Sequence, residues 1–116
     1  MIDIKKLKLF EKKINYKFKN NKLLIQSLTH PSFYLENEKK ININEFERFE
    51  FLGDRVLGLI IANLLFSKYK NFNEGDLSKK YSYLVQKKFL FKISQELKIE
   101  EILQYNFKKK NNKMLN

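Results

Sequence analysis

The sequence predicts an all-α domain, on three observations. Its 116 residues include one proline and three glycines, so little interrupts a helix. Strict apolar/polar alternation, the mark of a half-buried strand, is nearly absent. Apolar residues recur instead at the spacing of one helix face. The length suits a single hydrophobic core, and no internal repeat or domain boundary is visible.

The elements follow in chain order. Asp3 can cap a first helix in which Ile4, Leu7, Phe10 and Ile14 form one stripe, with lysines outside. Asn20 or Asn21 can cap a second, carrying Leu23, Leu24, Ser27 and Leu28. That helix should end near His30, because Pro31 disfavours helical geometry in the residue before it. Residues 32–43, "SFYLENEKKINI", read as an exposed polar connection with an apolar anchor at each end. A long helix follows over roughly 45–69, with Asn44 and Glu47 in a capping-box pattern. Its run "VLGLIIANLLF" is apolar almost all round, which predicts a rod through the middle of the domain. "KNFNEG" then turns the chain into a fourth helix with Leu77, Tyr81, Leu84 and Val85. A fifth holds Phe89, Leu90, Ile93 and Leu97, and a short sixth spans Ile99 to Tyr105. The ending "FKKKNNKMLN" reads as frayed and solvated.

Charge narrows the partners. Twenty-four basic residues against 13 acidic ones leave a net charge of +11, which favours a polyanion, nucleic acid ahead of an anionic membrane. All but two of the basic residues are lysines, a bias that an AT-rich genome produces unaided, so charge alone gives nucleic acid only a modest lead. With no cysteine, neither a disulfide framework nor a thiolate metal site can be built. The N-terminus lacks the apolar core of a secretion signal. The apolar run 56–66 is shorter than the about 20 residues a bilayer requires. The expectation is a soluble, cytoplasmic protein.

Chemistry concentrates in "NEFERFEFLGDRVLG", residues 44–58. On a helix, Glu47, Glu50 and Asp54 fall at i, i+3 and i+7, one face. Carboxylates held that close repel, and partial desolvation raises the cost, which the helix N-terminus offsets only in part. Spacing alone leaves two remedies open. Arg48, Arg55 or nearby lysines can neutralise the acids, or a divalent cation can sit among them.

The run "ERFEFLGDRVL" closely resembles the "ERLEFLGDSVL" segment of the ribonuclease III family, differing at two of eleven positions. "YKFKNNKLLIQSLTHPSF" is similar to that family's opening, and "NEGDLSKKYSYLVQ" to its Glu-Gly-x-Leu-Ser stretch leading to a Leu-Val pair. The resemblance runs through essentially the whole chain and corresponds to about the first two-thirds of a family nuclease domain. It implies a helical endonuclease domain acting on double-stranded RNA, with roles in rRNA and mRNA precursor processing. It implies Mg²⁺, with Mn²⁺ as a possible substitute, and a homodimer for the complete domain.

Residue by residue, the resemblance implies that Glu50 is a metal ligand. Asp54 matches the catalytic aspartate that binds metal or orients the attacking water. Glu47 and Glu74 match supporting acids, the first at the subunit interface and the second at the edge of the catalytic valley. Phe51 matches an aromatic plug for the partner subunit, and Gly53 a position of close approach across the dimer axis. Carboxylates suit Mg²⁺, a hard cation that prefers oxygen ligands and retains waters. Lysines would contact phosphates, and RNA would be selected by A-form shape and 2′-hydroxyls.

The match departs from the family pattern in places. The family's second acidic segment, of Asp-Ala-x-Glu-Ala type, is absent, since no Asp or Glu follows Glu101. Its double-stranded RNA-binding domain is absent too. The expectation is therefore a truncated domain over residues 1–116, cleaving duplex RNA weakly or not at all by itself. Exposed core surface, and with it marginal stability, should accompany the truncation. Pro31, Arg55 and Tyr81 replace, in turn, a basic residue, a small one and an arginine. His30, the only histidine, reads as a packed, hydrogen-bonded residue at a helix end rather than a general base. The rival reading is a non-catalytic RNA-binding or dimerisation module with the same fold. A third, a membrane-surface helix bundle, rests on charge alone.

Overall fold

A computed structural model describes residues 2–34 and 36–106, with side chains described throughout except over 36–42. Five α-helices and two short 3₁₀ turns account for its regular structure: α1 (Ile4–Ile14), α2 (Asn21–Ser27), α3 (Glu36–Lys68), α4 (Glu74–Val85) and α5 (Lys87–Glu96). The 3₁₀ turns are Pro31–Phe33 and Ile99–Glu101. Among the described residues there is no strand, only an isolated parallel bridge between Thr29 and Gln104. No helix among them is long and apolar enough to cross a membrane.

Local chemistry sets the first boundaries. The Asp3 side chain accepts from Lys5 N at 2.9 Å and starts α1. Asn15 ends it in the left-handed conformation at φ 54°, a geometry that asparagine tolerates better than most residues. Asn20, rather than Asn21, caps α2 by accepting from Leu23 N at 3.1 Å. The helix stops at Ser27, and the His30 side chain then caps the 3₁₀ turn led by Pro31.

Two expectations need correction. The polar connection expected over 32–43 is helical from Glu36, so α3 runs 33 residues and Asn44 lies inside it, not at its cap. Glu36, Glu38, Lys39 and Lys40 are good helix formers, and no glycine or proline intervenes before Gly53. The capping pattern at Asn44 was therefore overridden by the propensity around it. At the other end, the expected sixth helix contracts to the turn Ile99–Glu101, after which the chain extends to the bridge at Gln104. The tail expected to fray lies, from Phe107 on, outside the described residues.

The chain divides into two compact units, Met1–Phe49 with Leu97–Asn116, and Glu50–Glu96. The first has a core of Leu7, Leu24, Leu28 and Ile102, with Ile2, Phe10, Phe18 and Ile99 packed against it. Two segments distant in sequence are clasped here. His30 N donates to Gln104 O at 2.9 Å, and Gln104 N donates to Leu28 O at 2.8 Å. Thr29 Oγ1 lies 2.6 Å from Ile25 O and 2.7 Å from the Gln104 side-chain amide. Asn106 N donates to Ser32 Oγ at 3.1 Å.

The second unit holds the rest of α3 with α4 and α5. A capping box starts α4: Asn73 Oδ1 accepts from Asp76 N at 2.9 Å, and Asp76 accepts from Asn73 N. Tyr83 on α4 and Phe89 on α5 bring their rings to 5.2 Å. Tyr81 lies across Gly58 on α3, its hydroxyl 2.6 Å from where a Cβ would stand. Around that crossing, Ala62, Leu65, Phe66, Leu77, Ser78 and Tyr81 line an apolar cleft of about 380 Å³.

The apolar run of α3 is not the central rod that its sequence predicts. Of residues 56–66 only Gly58 and Leu65 are buried. Leu59 is 72% exposed and Phe66 73%, and Val56, Ile60 and Leu64 are also exposed. The face that α4 covers is buried, and among the described residues nothing covers the rest.

Candidate functional site

Glu50 and Asp54 stand one turn apart on α3, both exposed. The i, i+4 spacing brings two carboxylates onto one helix face. Neither arginine neutralises this pair. Arg48 turns away to Glu45, at 3.1 Å. Arg55 donates to Phe51 O at 3.1 Å and lays its guanidinium 3.6 Å above the Phe51 ring. Its distance to Asp54 Oδ2 is 3.8 Å, with both side chains mostly in water, where such a pair contributes about 0–1 kcal/mol. Among the described residues Glu47 and Glu50 have no ion-pair partner.

The remaining acids add no third ligand among the described residues. Glu47 lies earlier on α3 and is exposed. Glu74 opens α4, where it accepts from Ser78 Oγ at 2.7 Å. No group of three or more His, Cys, Asp or Glu among the described residues is close enough to hold a metal ion. Phe51 is 59% exposed, one face of its ring covered by Arg55. A Cβ added at Gly53 would meet nothing within 4 Å, so nothing among the described residues requires a glycine there.

His30 belongs to the first unit. Its Nδ1 accepts from Ser32 N at 3.1 Å and lies 2.8 Å from Ser32 Oγ. Its ring packs against Tyr105 at 4.5 Å and Phe46 at 5.5 Å, the contacts of a packed turn residue. Sequence reasoning overlooked Gly58, where only the close approach of Tyr81 explains the need for a missing side chain. It also overlooked a basic aromatic corner at the end of α3, where Tyr69 and Phe72 stack at 4.5 Å. The spacing of Lys68, Tyr69 and Phe72 in "SKYKNF" was the available signal.

As a chemical device, the Glu50–Asp54 pair presents hard oxygen donors to solvent, with only the long, exposed contact from Arg55 to Asp54 set against them. Two such carboxylates suit Mg²⁺, which is held by one or two protein oxygens plus waters and phosphate oxygens. They are too few for a cage built wholly from protein.

Comparison with known proteins identifies the family. The Ribonuclease-III-like family profile matches residues 20–115. Ribonuclease 3 of Rickettsia bellii is 44% identical over 93 residues, 80% of this chain and 40% of the relative. Ribonuclease 3 of Rickettsia felis is 42% identical over the same length, 41% of that protein. The chain thus spans about two-fifths of these curated relatives. Two solved structures of the ribonuclease III nuclease domain from Campylobacter jejuni match with a TM-score of 0.72 and 38% identity. They cover 95% and 97% of this chain, and 70% and 69% of theirs. One is described as showing structural flexibility in a region involved in dimer formation.

Proposed function

The chain belongs to the ribonuclease III family, and from that premise we propose that it carries the first half of a metal-dependent catalytic site for double-stranded RNA. The observation that supports this most is the pair Glu50 and Asp54, exposed on one face of α3, with Glu50 unpaired among the described residues and Asp54 held only by a long, solvent-exposed contact to Arg55. A carboxylate pair kept for stability alone would be expected to hold its cations closer.

In this reading Glu50 and Asp54 would hold Mg²⁺, or Mn²⁺ in its place, and an ion held there would supply an acidified water and offset charge on the scissile phosphate. Asp54 accepts a hydrogen bond from the attacking water and so orients it, while Glu50 fixes the position of the site on the helix. Arg55, held by the Phe51 carbonyl and ring, keeps its positive charge beside Asp54 without closing over it. Surface lysines bind backbone phosphates and align the duplex. Glu47 and Glu74 support the acidic surface rather than ligate. Rates stay low for this chain alone, because no Asp or Glu follows Glu101 to supply the acids of the family's second acidic segment.

A second reading, a dimerisation module, is supported by Phe51 and Gly53. An aromatic ring 59% exposed, two residues from a glycine with open space around it, suits a helix that lies against its counterpart in a second copy. The two readings are compatible, since dimerisation would place two acidic pairs in one assembly.

The test is Mn²⁺ binding followed by electron paramagnetic resonance, which reads loss of the free-ion signal. Wild type should bind one ion, and Asp54→Asn or Glu50→Gln should weaken binding by at least tenfold. Unchanged binding in both variants refutes the metal site. Duplex cleavage at ordinary Mg²⁺ by this chain alone, abolished by Asp54→Asn, would instead refute the expected low activity.

A further inference from the structure

The corner between α3 and α4 carries a charge arrangement that the acidic site does not use. Tyr69 N donates to Leu65 O at 2.9 Å and Phe72 N donates to Tyr69 O at 3.1 Å, so the turn is held at both residues. Their rings lie nearly parallel, 4.5 Å apart at 15°. Two ammonium groups converge on this stack. Lys80 Nζ from α4 sits 4.4 Å from the Tyr69 ring centre and 5.9 Å from that of Phe72. Lys68 Nζ, from the last turn of α3, sits 5.5 Å from the Tyr69 ring centre. Among the described residues neither lysine is paired with a carboxylate.

Two cations drawn to one neutral ring, with no acid between them, repel each other. The ring faces compensate only in part, since cation–π attraction at exposed sites is modest. The phenol registers the field: its pKa lies below the ordinary value, first because the Lys80 ammonium is poised as a donor to the oxygen and then through the charges of Lys68 and Lys80, which outweigh the opposing effect of burial. An anion bridging the two ammoniums would relieve the repulsion. The rings are already stacked on one another with cations at their edges and faces, which leaves little room for an inserted base. A phosphate therefore fits the corner better than a nucleobase.

We propose that Lys68 and Lys80, held by the Tyr69–Phe72 stack, form a phosphate-binding site that grips the backbone of duplex RNA away from the carboxylate pair. This rests on the nucleic-acid reading above. A site of this kind reads no sequence and adds grip and register.

The experiment has two arms on the full 116-residue chain. In the first, fluorescence anisotropy with EDTA present measures binding of an RNA duplex of about 20 base pairs across a salt series. Each of Lys68→Gln and Lys80→Gln should weaken binding about fivefold at about 0.15 M salt and lower the log–log salt slope by about 0.9. Lys80→Arg should restore most of the loss, and Tyr69→Phe should stay within about twofold of wild type, since it removes only the phenol oxygen. In the second arm, absorbance titration of the phenol, taken as the difference between wild type and Tyr69→Phe, is run with inorganic phosphate or with chloride at equal ionic strength. Phosphate should raise the Tyr69 midpoint, because it withdraws the ammoniums and adds negative charge.

Full RNA affinity and salt slope in both glutamine variants, with circular dichroism unchanged, overturns the inference while leaving the nucleic-acid reading intact. Should wild type bind no duplex while phosphate still moves the Tyr69 midpoint, the nucleic-acid reading fails and the corner is an adventitious ion site only. Failure of both arms overturns both proposals.

Discussion

Replacing Gly58 by alanine tests the closest approach between α3 and α4. The added Cβ would lie 2.6 Å from Tyr81 Oη and 3.7 Å from its Cζ. The second distance is ordinary contact, whereas the first obliges the hydroxyl to retreat by about 1 Å. Helix propensity alone favours alanine by about 1 kcal/mol. Forcing a methyl group into a filled contact costs about 1–3 kcal/mol. The obstacle is the tip of a half-buried side chain rather than backbone, so the lower part of that range, about 1–2 kcal/mol, applies. The net expectation is a loss of about 0–1 kcal/mol. Tyr81→Phe removes the obstructing oxygen, and in that background Gly58→Ala should stabilise by about 1 kcal/mol. Urea unfolding followed by far-UV circular dichroism on wild type, both single variants and the double variant reads the coupling directly. It should be about 1–2 kcal/mol, and a value below about 0.3 kcal/mol, the error of simple additivity, refutes the close approach.

Other perturbations separate the roles of particular side chains. Asn73→Ala removes one half of the capping box that starts α4 and should cost about 1 kcal/mol in the same urea assay. Thr29→Val strips the hydroxyl that joins Ile25 O and the Gln104 amide. Because Thr29 is 3% exposed, the orphaned polar groups should cost about 1–3 kcal/mol, with hydrogen exchange at Gln104 N accelerating in parallel. Leu59→Lys and Phe66→Lys should change stability by no more than about 0.5 kcal/mol, since these side chains remain in water. Light scattering should show less self-association in both variants, and a large fall in the urea midpoint would mean that the positions are covered.

Much of the local structure was legible in the sequence. Asp3 and Asn20 announce their helices because a short polar side chain satisfies nearby backbone donors, an interaction spanning two or three residues. Pro31 holds its own neighbour His30 extended through sterics, as expected, although α2 already stops at Ser27, before that effect can act on it. The start of α3 was misread for a local reason too: Asn44 and Glu47 matched a cap pattern, yet the good helix formers before them carried the helix back to Glu36. Burial of "VLGLIIANLLF" could not be read at all. An apolar run states what a helix would gain by being covered, whereas coverage depends on elements distant in the chain. The clasp between Leu28–Ser32 and Gln104–Asn106 was equally invisible, because its bonds join residues more than seventy positions apart.

By itself, then, the sequence determined the all-α class, the caps of α1 and α2 and the acid spacing on α3, together with a family signature in "ERFEFLGDRVL". Each of these is a property of neighbours within one or two helical turns, where geometry follows directly from residue identity. Only the tertiary structure decided where the arginines point, which side of Gly58 is filled and how two lysines come to share one aromatic stack. Those outcomes turn on contacts between residues far apart in the chain, and such contacts are settled by packing against everything else that competes for the same space.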